Sequence, residues 1–496
     1  MLLTFFVPLP LAPLFDLDEG AFSEATREML VGKDYITTYL NGELRFDKPI
    51  LIYWLQLISV KIFGLNEFAL RLPSAIAATF WAGAIYYFTL RVLNKQTAFF
   101  ATLFMIASLQ INMIAKAAIA DALLNLFIAL SMFVLYYYHK YNNKKYLYLA
   151  FLFIGLGALT KGPVAIMIPL VVTFIFYLIQ RKTVEWLKMV FNPIGLFIFA
   201  IIALPWYIAE YMAQGQAFID GFFLKHNISR FNTSMESHGG TLFYFIPVLI
   251  LGFMPFTYVA IKAIINVKNY FKDELKLYLI IWFLFVFIFF SLSGTKLPHY
   301  VIYGYTPLFI LSALYLNQSV SKAWLIYPIL TLLTLLLFLP EIATYLKNSI
   351  TDELAQVIIA NAYETFDLWY RLLIVGVMIL LIIMIRFIKK TETLVTGVAL
   401  AMIISVSFIV IPTYGKLMQL PIKEAALYAK EHKLKNIVMH QVNMPTFNVY
   451  YEGLVSKRAP VSGDIVFTKV PELKNFKHPT ILYQKNGFTL IKLGDN

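Results

Sequence analysis

The chain has 496 residues, of which 60% are hydrophobic and 14% are charged, and its 41 basic and 28 acidic side chains give a net charge of +13. A soluble domain is typically about 25% charged and about 45–50% apolar, so this composition excludes an ordinary soluble enzyme and indicates a polytopic membrane protein. The absence of cysteine excludes a disulfide framework, a thiolate metal site and a catalytic cysteine. No basic motif with interleaved aromatic residues supports nucleic-acid binding, and orientation in a membrane explains the positive charge better.

Thirteen apolar runs predict the membrane spans, because a bilayer core about 30 Å thick needs roughly 20 apolar residues per helix. The first run is short for a span, contains three prolines and lacks a basic start. We therefore do not expect a cleaved signal peptide, and we expect the first helix to start upstream. The predicted spans are 1–15, 71–93, 97–113, 118–138, 146–159, 163–179, 193–211, 241–260, 277–292, 300–316, 323–340, 369–385 and 394–411.

Lysine and arginine cluster in alternate loops, which the positive-inside rule makes cytoplasmic. The opposite side is therefore predicted to be extracytoplasmic. It includes the first loop (16–70), the segment 210–240, the turn 293–299 and everything after 411.

The composition changes after residue 411. The stretch LPIKEAALYAKEHKL has helical periodicity, and short strand-like segments separated by glycines follow it. This pattern predicts a small extracytoplasmic α/β domain over 412–496. Residues 1–411 are predicted to form the transmembrane domain.

Carboxylates are concentrated on the extracytoplasmic side. Asp16, Asp18 and Glu19 follow the first apolar run, and Asp121 lies near the outer end of the fourth span. Carboxylates at a membrane edge are costly and indicate a functional site. A second interpretation stays open, since acids also favour a solvated helix N-terminus and Asp121 could form a helix-end ion pair with Lys116.

Cationic and tyrosine side chains come to the same side from separate outer loops. Lys48, Arg230, Lys296 and Tyr300 together suit an anionic lipid head group. Lys48 could instead pair only with Asp47 or extend its ammonium to the interface, and a tyrosine at this depth commonly anchors a helix.

A divalent metal, zinc or magnesium, is a further prediction for this face. His226 and the carboxylate of Asp47 are suitable ligands, although a lone histidine is more often structural. His226 and Arg230 are four residues apart, which places them on one face if the stretch is helical. His238 belongs to the same segment.

Six short motifs, DE after the first run, FDKPI…YW, AD, LTKG, HNISRF and GTKLPHY, resemble those of the bacterial aminoarabinose transferase family. More distantly they resemble the protein O-mannosyltransferases and other GT-C glycosyltransferases. The motif resemblance covers roughly residues 1–316, and the layout of spans with a small outer C-terminal domain is similar throughout. The resemblance implies a GT-C fold in a bacterial inner membrane.

The resemblance also implies a reaction and a site. A sugar would move, with inversion, from a polyprenyl phosphate such as undecaprenyl phosphate to a hydroxyl of lipid A, another envelope glycan or a protein on the outer face. Asp18 would act as base or position the acceptor, and Asp121 would line the sugar cavity. Lys48, Arg230 and Tyr300 would hold the donor phosphate. We place Glu19 with the catalytic group and Lys296 with the phosphate group.

At the place of Asp47 the aminoarabinose enzymes have a glutamate, which joins the motif histidine, here His226, at a metal position. The shorter aspartate of this chain departs from that pattern. No nucleotide is required, which agrees with the absence of a P-loop or Rossmann fingerprint.

Two other classes of protein are alternatives. A secondary transporter or flippase of an anionic lipid-linked substrate would also be polytopic, but the ionisable residues gather at the outer face and no inverted repeat is evident. An envelope scaffold without enzymatic activity would leave the charged first loop unexplained. A laterally open outer cavity lined by Asp18, Lys48 and Arg230 would favour the transferase.

The charge pattern makes a topological prediction. A reporter that is active only outside the cytoplasm, fused to the C-terminus, should be active, because the basic loops lie on the other side. A fusion that works only with a cytoplasmic reporter would contradict the predicted orientation.

Overall fold

The computed structural model describes residues 1–229, 239–316 and 320–494. Helices dominate it, because a helix satisfies its own backbone hydrogen bonds where no water is available. Within the described ranges, six helices are long and apolar enough to cross a membrane, and a pair bent by 56° would make a seventh. The predicted count of thirteen spans stays a prediction. The six helices are Glu67–Val92, Asp121–Tyr141, Pro193–Gln214, Glu274–Leu292, Leu368–Phe387 and Thr391–Met418, and the bent pair is Lys322–Leu337 with Leu339–Ser349.

The first half of the chain supplies the first-loop helix and half of the bundle. Its helices are α1 (Asp18–Gly32), α2 (Leu51–Phe63), α3 (Glu67–Val92), α4 (Lys95–Ala107), α5 (Leu109–Ile114), α6 (Asp121–Tyr141), α7 (Lys144–Lys161), α8 (Val164–Ile179), α9 (Thr183–Val190), α10 (Pro193–Gln214) and α11 (Gln216–Phe218). The side chains of Asn66, Asn94, Asn143 and Asn192 accept a backbone N–H in the first turns of α3, α4, α7 and α10. Such caps satisfy donors that a helix start leaves without a partner.

The second half completes the bundle and continues into the C-terminal segment. Its helices are α12 (Phe245–Gly252), α13 (Thr257–Ile265), α14 (Glu274–Leu292), α15 (Tyr305–Leu316), α16 (Lys322–Leu337), α17 (Leu339–Leu346), α18 (Glu353–Ala360), α19 (Ala362–Thr365), α20 (Leu368–Phe387), α21 (Thr391–Ile404), α22 (Ile411–Met418), α23 (Leu420–Glu431) and α24 (Pro445–Tyr451). A π-helical turn, Ser405–Val410, joins α21 to α22, so the last span runs to Met418. The predicted domain boundary at 411 therefore falls inside a continuous helix.

Two sheets are present in the described residues. In the first loop, β1 (Tyr39–Leu40) and β2 (Glu43–Leu44) form an antiparallel hairpin. In the C-terminal segment, β3 (Ile437–Met439), β4 (Ile465–Lys469), β5 (Thr480–Lys485) and β6 (Phe488–Lys492) form a sheet of order β3-β4-β6-β5, in which only the β3–β4 pair is parallel.

A buried arginine on α3 holds the start of the chain. Arg71 pairs with Glu19 through Nε at 2.6 Å and Nη2 at 2.8 Å, and it donates three further hydrogen bonds of 2.7 Å to the carbonyls of Leu9, Ala12 and Pro13. Prolines interrupt a helix and leave carbonyls without intrahelical donors. The guanidinium supplies those donors.

The Glu19 carboxylate is saturated by the same arrangement. Besides Arg71, it accepts the backbone N–H of Phe15 at 2.8 Å and of Ala118 at 2.8 Å. Both side chains of the pair are 4% exposed. The pair therefore joins α1 and α3 to the initial segment and to the loop that precedes α6.

Arg71→Met should destabilise the protein strongly. Removal of one partner from a buried ion pair typically costs about 3–5 kcal/mol, because the other charge stays buried without compensation. Thermal unfolding in detergent measures the effect, and Arg91→Gln, at the exposed end of the same helix, is the control. An unchanged melting temperature for Arg71→Met would contradict the structural role of the pair.

Candidate active site

A cavity lies where the start of α1, the start of α6, the end of α7 and the 3₁₀ segment Pro298–Gly304 meet. Carboxylates, cations and aromatic rings form most of its wall, and three apolar side chains complete it. The lining residues are Asp18, Phe22, Lys48, Ile119, Asp121, Lys161, Leu297, His299 and Tyr300.

Asp18 is the first residue of α1, and its side chain is exposed at the cavity. The helix dipole favours an acid at this position. Within the described part of the chain, no group donates a hydrogen bond to its carboxylate. Its oxygens can therefore accept a proton from a bound hydroxyl, which is what a general base requires.

Asp121, the first residue of α6, is 3% exposed and firmly held. Its Oδ1 accepts hydrogen bonds from Lys161 Nζ at 2.7 Å and from the Tyr303 hydroxyl at 2.8 Å. Lys161 Nζ also donates to the Tyr303 hydroxyl at 2.8 Å. The predicted ion pair of Asp121 with Lys116 is wrong: Lys161 is the partner, and the Lys116 ammonium donates to Asn112 and Ser407 instead. Asp121 also lines the cavity.

Lys161 reaches the cavity because α7 ends at this residue. Gly162 follows with φ +75°, and a Cβ there would lie 2.7 Å from Phe222 Cζ. Both the backbone conformation and the space require glycine. A cation in the last turn also suits the helix dipole.

His299 lies against Asp121, with Nε2 3.9 Å from Oδ1. The pKa of His299 is lowered to about 4: burial is the main cause, the Asp121 carboxylate opposes it, and the charge of Lys161 adds to it. The imidazole is therefore neutral at pH 7. A neutral imidazole can both donate a hydrogen bond to a hydroxyl group and accept one from it.

Lys48 enters the cavity from the loop after β2. Its Nζ donates to the carbonyl of Asp47 at 2.9 Å, while the Asp47 carboxylate contacts Arg45 at 3.1 Å and His226 Nε2 at 2.8 Å. Burial raises the pKa of Asp47, but the hydrogen bond from His226 and the charges of Arg45 and Lys48 more than offset it and hold that pKa well below its usual value. Asp47 is therefore ionised and anchors the loop.

Asp47 and His226 are close enough to share a metal, but the described residues supply no third histidine or acid for a site. A catalytic zinc site typically has three protein ligands. Each Asp47 oxygen already contacts Arg45 or His226. The described residues alone do not complete a metal site.

Four of the predicted residues meet in the cavity: Asp18, Lys48, Asp121 and Tyr300. Four others do not line it. Asp47 and His226 contact each other at 2.8 Å. Glu19 binds Arg71, and Lys296 Nζ donates to the carbonyl of Ser293 at 2.5 Å, within its own turn.

Two predicted residues, Arg230 and His238, lie outside the described residues. His226 belongs to the π-helical segment Ile219–Ser229.

Lys161, His299 and Tyr303 were not predicted from the sequence. Lys161 lies in the LTKG motif, and the two others flank Tyr300 in the stretch PHYVIY. A lysine that ends an apolar helix and a histidine beside a predicted site residue are the signals that could have identified two of them. Nothing in the sequence marks Tyr303 among so many tyrosines.

Residues 47–208 match the family of dolichyl-phosphate-mannose-protein mannosyltransferases. The chain is 32% identical over 328 residues to an undecaprenyl phosphate-alpha-4-amino-4-deoxy-L-arabinose arabinosyl transferase of Yersinia enterocolitica, covering 64% of this chain and 58% of the relative. It is 30% identical over 345 residues to an uncharacterized protein of Aquifex aeolicus, covering 68% of this chain and 78% of that protein. The chain belongs to the aminoarabinose transferase-like family of GT-C glycosyltransferases.

The crystal structure of ArnT from Cupriavidus metallidurans bound to undecaprenyl phosphate superposes with a TM-score of 0.78 at 19% identity, covering 100% of this chain and 98% of that one. The apo state of the same protein gives the same TM-score. This likeness confirms the predicted GT-C fold. The chain is a multi-pass membrane protein, as its composition predicted.

The low pKa of His299 makes the fold sensitive to acid. An unfolded histidine titrates near 6.5, so the contribution of neutral His299 to stability is complete above that pH and is lost progressively as the pH falls from about 6.5 to about 4. The melting temperature should therefore drop less between pH 7 and pH 4.5 in His299→Gln than in the wild type. The control His432→Gln, an exposed site, should drop as the wild type does. Equal drops in wild type and His299→Gln would contradict the assignment.

Proposed function

We propose that the protein is an inverting glycosyltransferase that moves a sugar from a polyprenyl phosphate donor to a hydroxyl of a cell-envelope acceptor. The observation that carries the proposal is a cavity in which the exposed carboxylate of Asp18 faces Lys48 and Tyr300. The names of the Yersinia relative and of the ArnT structure support undecaprenyl phosphate as the lipid. The chain spans 58% of the length of that relative, so donor and acceptor alike are part of the proposal.

The oxygen of the acceptor hydroxyl attacks the anomeric carbon of the sugar, and the Asp18 carboxylate accepts the proton of that hydroxyl. The new carbon–oxygen bond forms on the face opposite the phosphate, while the bond from that carbon to the phosphate oxygen breaks. The polyprenyl phosphate leaves with the electron pair. Lys48 and Tyr300 stabilise the charge that develops on it, together with the predicted contact of Arg230.

Asp121 orients the sugar and does not take part in the proton transfer. Its Oδ1 already accepts hydrogen bonds from Lys161 and Tyr303, so it is poorly placed to take the proton of the acceptor hydroxyl. We assign to this group, with neutral His299, the hydrogen bonding and orientation of the sugar. Hydrogen-bond donors and acceptors held in fixed positions discriminate between sugars more sharply than an apolar wall does.

Glu19 helps to position Asp18, because its ion pair with Arg71 fixes the first turn of α1. Lys296 stays a predicted phosphate contact, and its ammonium has to leave the Ser293 carbonyl to make that contact. A divalent metal at Asp47 and His226 also stays a prediction.

We place the active site and the residues after the last span outside the cytoplasm, in a bacterial inner membrane, on the charge pattern of the loops. The acceptor hydroxyl belongs to lipid A, another envelope glycan or a protein. A transporter or flippase is the alternative. A base at one face of the bundle is expected of a transferase, whereas a transporter site lies near the midplane.

Asp18→Asn should lower sugar transfer by about 10²–10⁴-fold, the usual contribution of general acid–base catalysis, since the amide cannot accept a proton. Mass spectrometry of envelope lipids and glycoproteins measures the product in a strain that lacks the gene and carries each variant. Glu43→Gln, an exposed acid on the same loop, should leave transfer unchanged.

Wild-type transfer by Asp18→Asn, together with a folded but inactive Glu19→Gln, would show that Glu19 is the base. Wild-type transfer by both variants would refute a catalytic site in the first loop.

Lys48→Met should weaken binding of undecaprenyl phosphate about 10- to 100-fold, because a hydrogen bond to a charged group contributes about 1.5–3 kcal/mol. Titration of purified protein with this lipid measures its dissociation constant. Lys61→Met, an exposed lysine on α2, is the control. Unchanged affinity in Lys48→Met would remove the phosphate assignment.

A further inference from the structure

The chain just before Asp18 is held by the C-terminal segment. Asp16 Oδ1 accepts the backbone N–H of Thr446 at 3.0 Å, and Oδ2 accepts the Thr446 hydroxyl. The Asp16 N–H donates to Gln419 Oε1 at 3.4 Å. Asp16 is therefore bound on its backbone and on its side chain, two residues before Asp18.

A close approach at Gly20 supports the same contact. A Cβ at position 20 would lie 2.4 Å from Asp16 Oδ1 and 2.9 Å from the backbone nitrogen of Thr446. Only glycine allows α1 and α24 to approach this closely. At Gly32, the other end of α1, no described atom outside the neighbouring residues and the helix's own backbone lies within 4 Å of the Cβ position.

Other residues of α24 bind the chain on both sides of α1. The Tyr450 hydroxyl accepts the N–H of Leu14 at 2.8 Å and donates to Glu67 at 2.9 Å. Asn448 Nδ2 donates to Asn41 Oδ1 at 2.7 Å. These contacts make the position of α1 depend on α24.

We propose that Asp16, Gly20 and Thr446 form a joint through which the C-terminal segment positions the Asp18 carboxylate for sugar transfer. The inference rests on the proposed role of Asp18. The three are positioning residues, since none of them lines the cavity. Thr446 thereby acts on the reaction through the position of Asp18, although it touches neither the cavity nor the reacting atoms.

Disruption of the joint should lower the rate of sugar transfer and leave the affinity for the donor unchanged. Lys48 and Tyr300 are placed by the loop after β2 and by the segment Pro298–Gly304, neither of which belongs to the joint. A misplacement of about 1 Å can lower a reaction rate about 100-fold. A shift of α1 would therefore impair catalysis while the phosphate contacts persist.

Two pairs of variants in the full-length protein test the joint. Thr446→Val removes the hydroxyl with little change in shape, and Thr446→Ser restores it. Gly20→Ala fills the close contact, and Gly32→Ala adds the same methyl group where there is space. Thr480→Val, an exposed site on β5, controls for a general effect of this substitution in the C-terminal segment.

Three measurements are made on each variant: product in the complemented strain at matched protein level, affinity for undecaprenyl phosphate, and melting temperature. We expect product to fall about 10- to 100-fold in Thr446→Val and Gly20→Ala, with donor affinity within about twofold of wild type. Thr446→Ser, Gly32→Ala and Thr480→Val should match wild type in all three.

Wild-type amounts of product in Thr446→Val and Gly20→Ala, with Asp18→Asn inactive, would refute the proposed joint and leave the proposed function intact. A parallel loss of product and donor affinity would show a merely structural contact and would overturn the joint as well. Full product in Asp18→Asn would instead remove the proposed function on which the inference rests.

Discussion

The ion pair between Glu19 and Arg71 is the constraint on which the rest of the site depends. A buried guanidinium is stable only when its donors are satisfied, and here they reach one carboxylate and three carbonyls in a proline-interrupted segment. Neither partner could be buried without the other. The pair thus determines where α1 starts.

This constraint explains why two adjacent acids behave differently. Glu19 turns inward and is saturated by Arg71 and two backbone N–H groups, whereas Asp18 remains exposed at the cavity. Asp121 begins α6 on the opposite wall, just beyond the loop whose Ala118 N–H is bonded to Glu19. Two helix starts carrying acids are therefore held at one cavity by one buried pair.

The contacts around Asp18 divide into two groups with different roles. Arg71 and Glu19 hold the first turn of α1 from within the bundle, and Thr446 holds the preceding residue from the C-terminal segment. Donor recognition uses other elements, the loop that carries Lys48 and the segment that carries Tyr300. Binding of the lipid phosphate and placement of the base thus rest on different side chains.

Much of the fold could be predicted because hydrophobic runs and charged loops report directly on a membrane. The runs at 71–93, 118–138 and 193–211 correspond closely to α3, α6 and α10. Other boundaries depend on tertiary contacts. The run 97–113 breaks at Ser108 into α4 and α5, where the N–H of Leu109 bonds to the carbonyl of Met254, far along the chain. No local pattern encodes such a partner.

Part of the site could likewise be predicted from the sequence, and part of it depends on tertiary contacts. Asp18, Lys48, Asp121 and Tyr300 were predicted because their motifs resemble those of the family, and the structure brings them together. Sequence order alone could not show that Glu19 binds an arginine 52 positions away. For the same reason it could not show that Lys161 is the partner of Asp121.

A structure of the protein in a lipid nanodisc with bound undecaprenyl phosphate tests the central claim most directly. The account predicts a phosphate in contact with Lys48 Nζ and the Tyr300 hydroxyl, and the Asp18 carboxylate across the space that the sugar would occupy. A phosphate bound elsewhere on the protein, with the cavity between Asp18 and Lys48 empty, would contradict it.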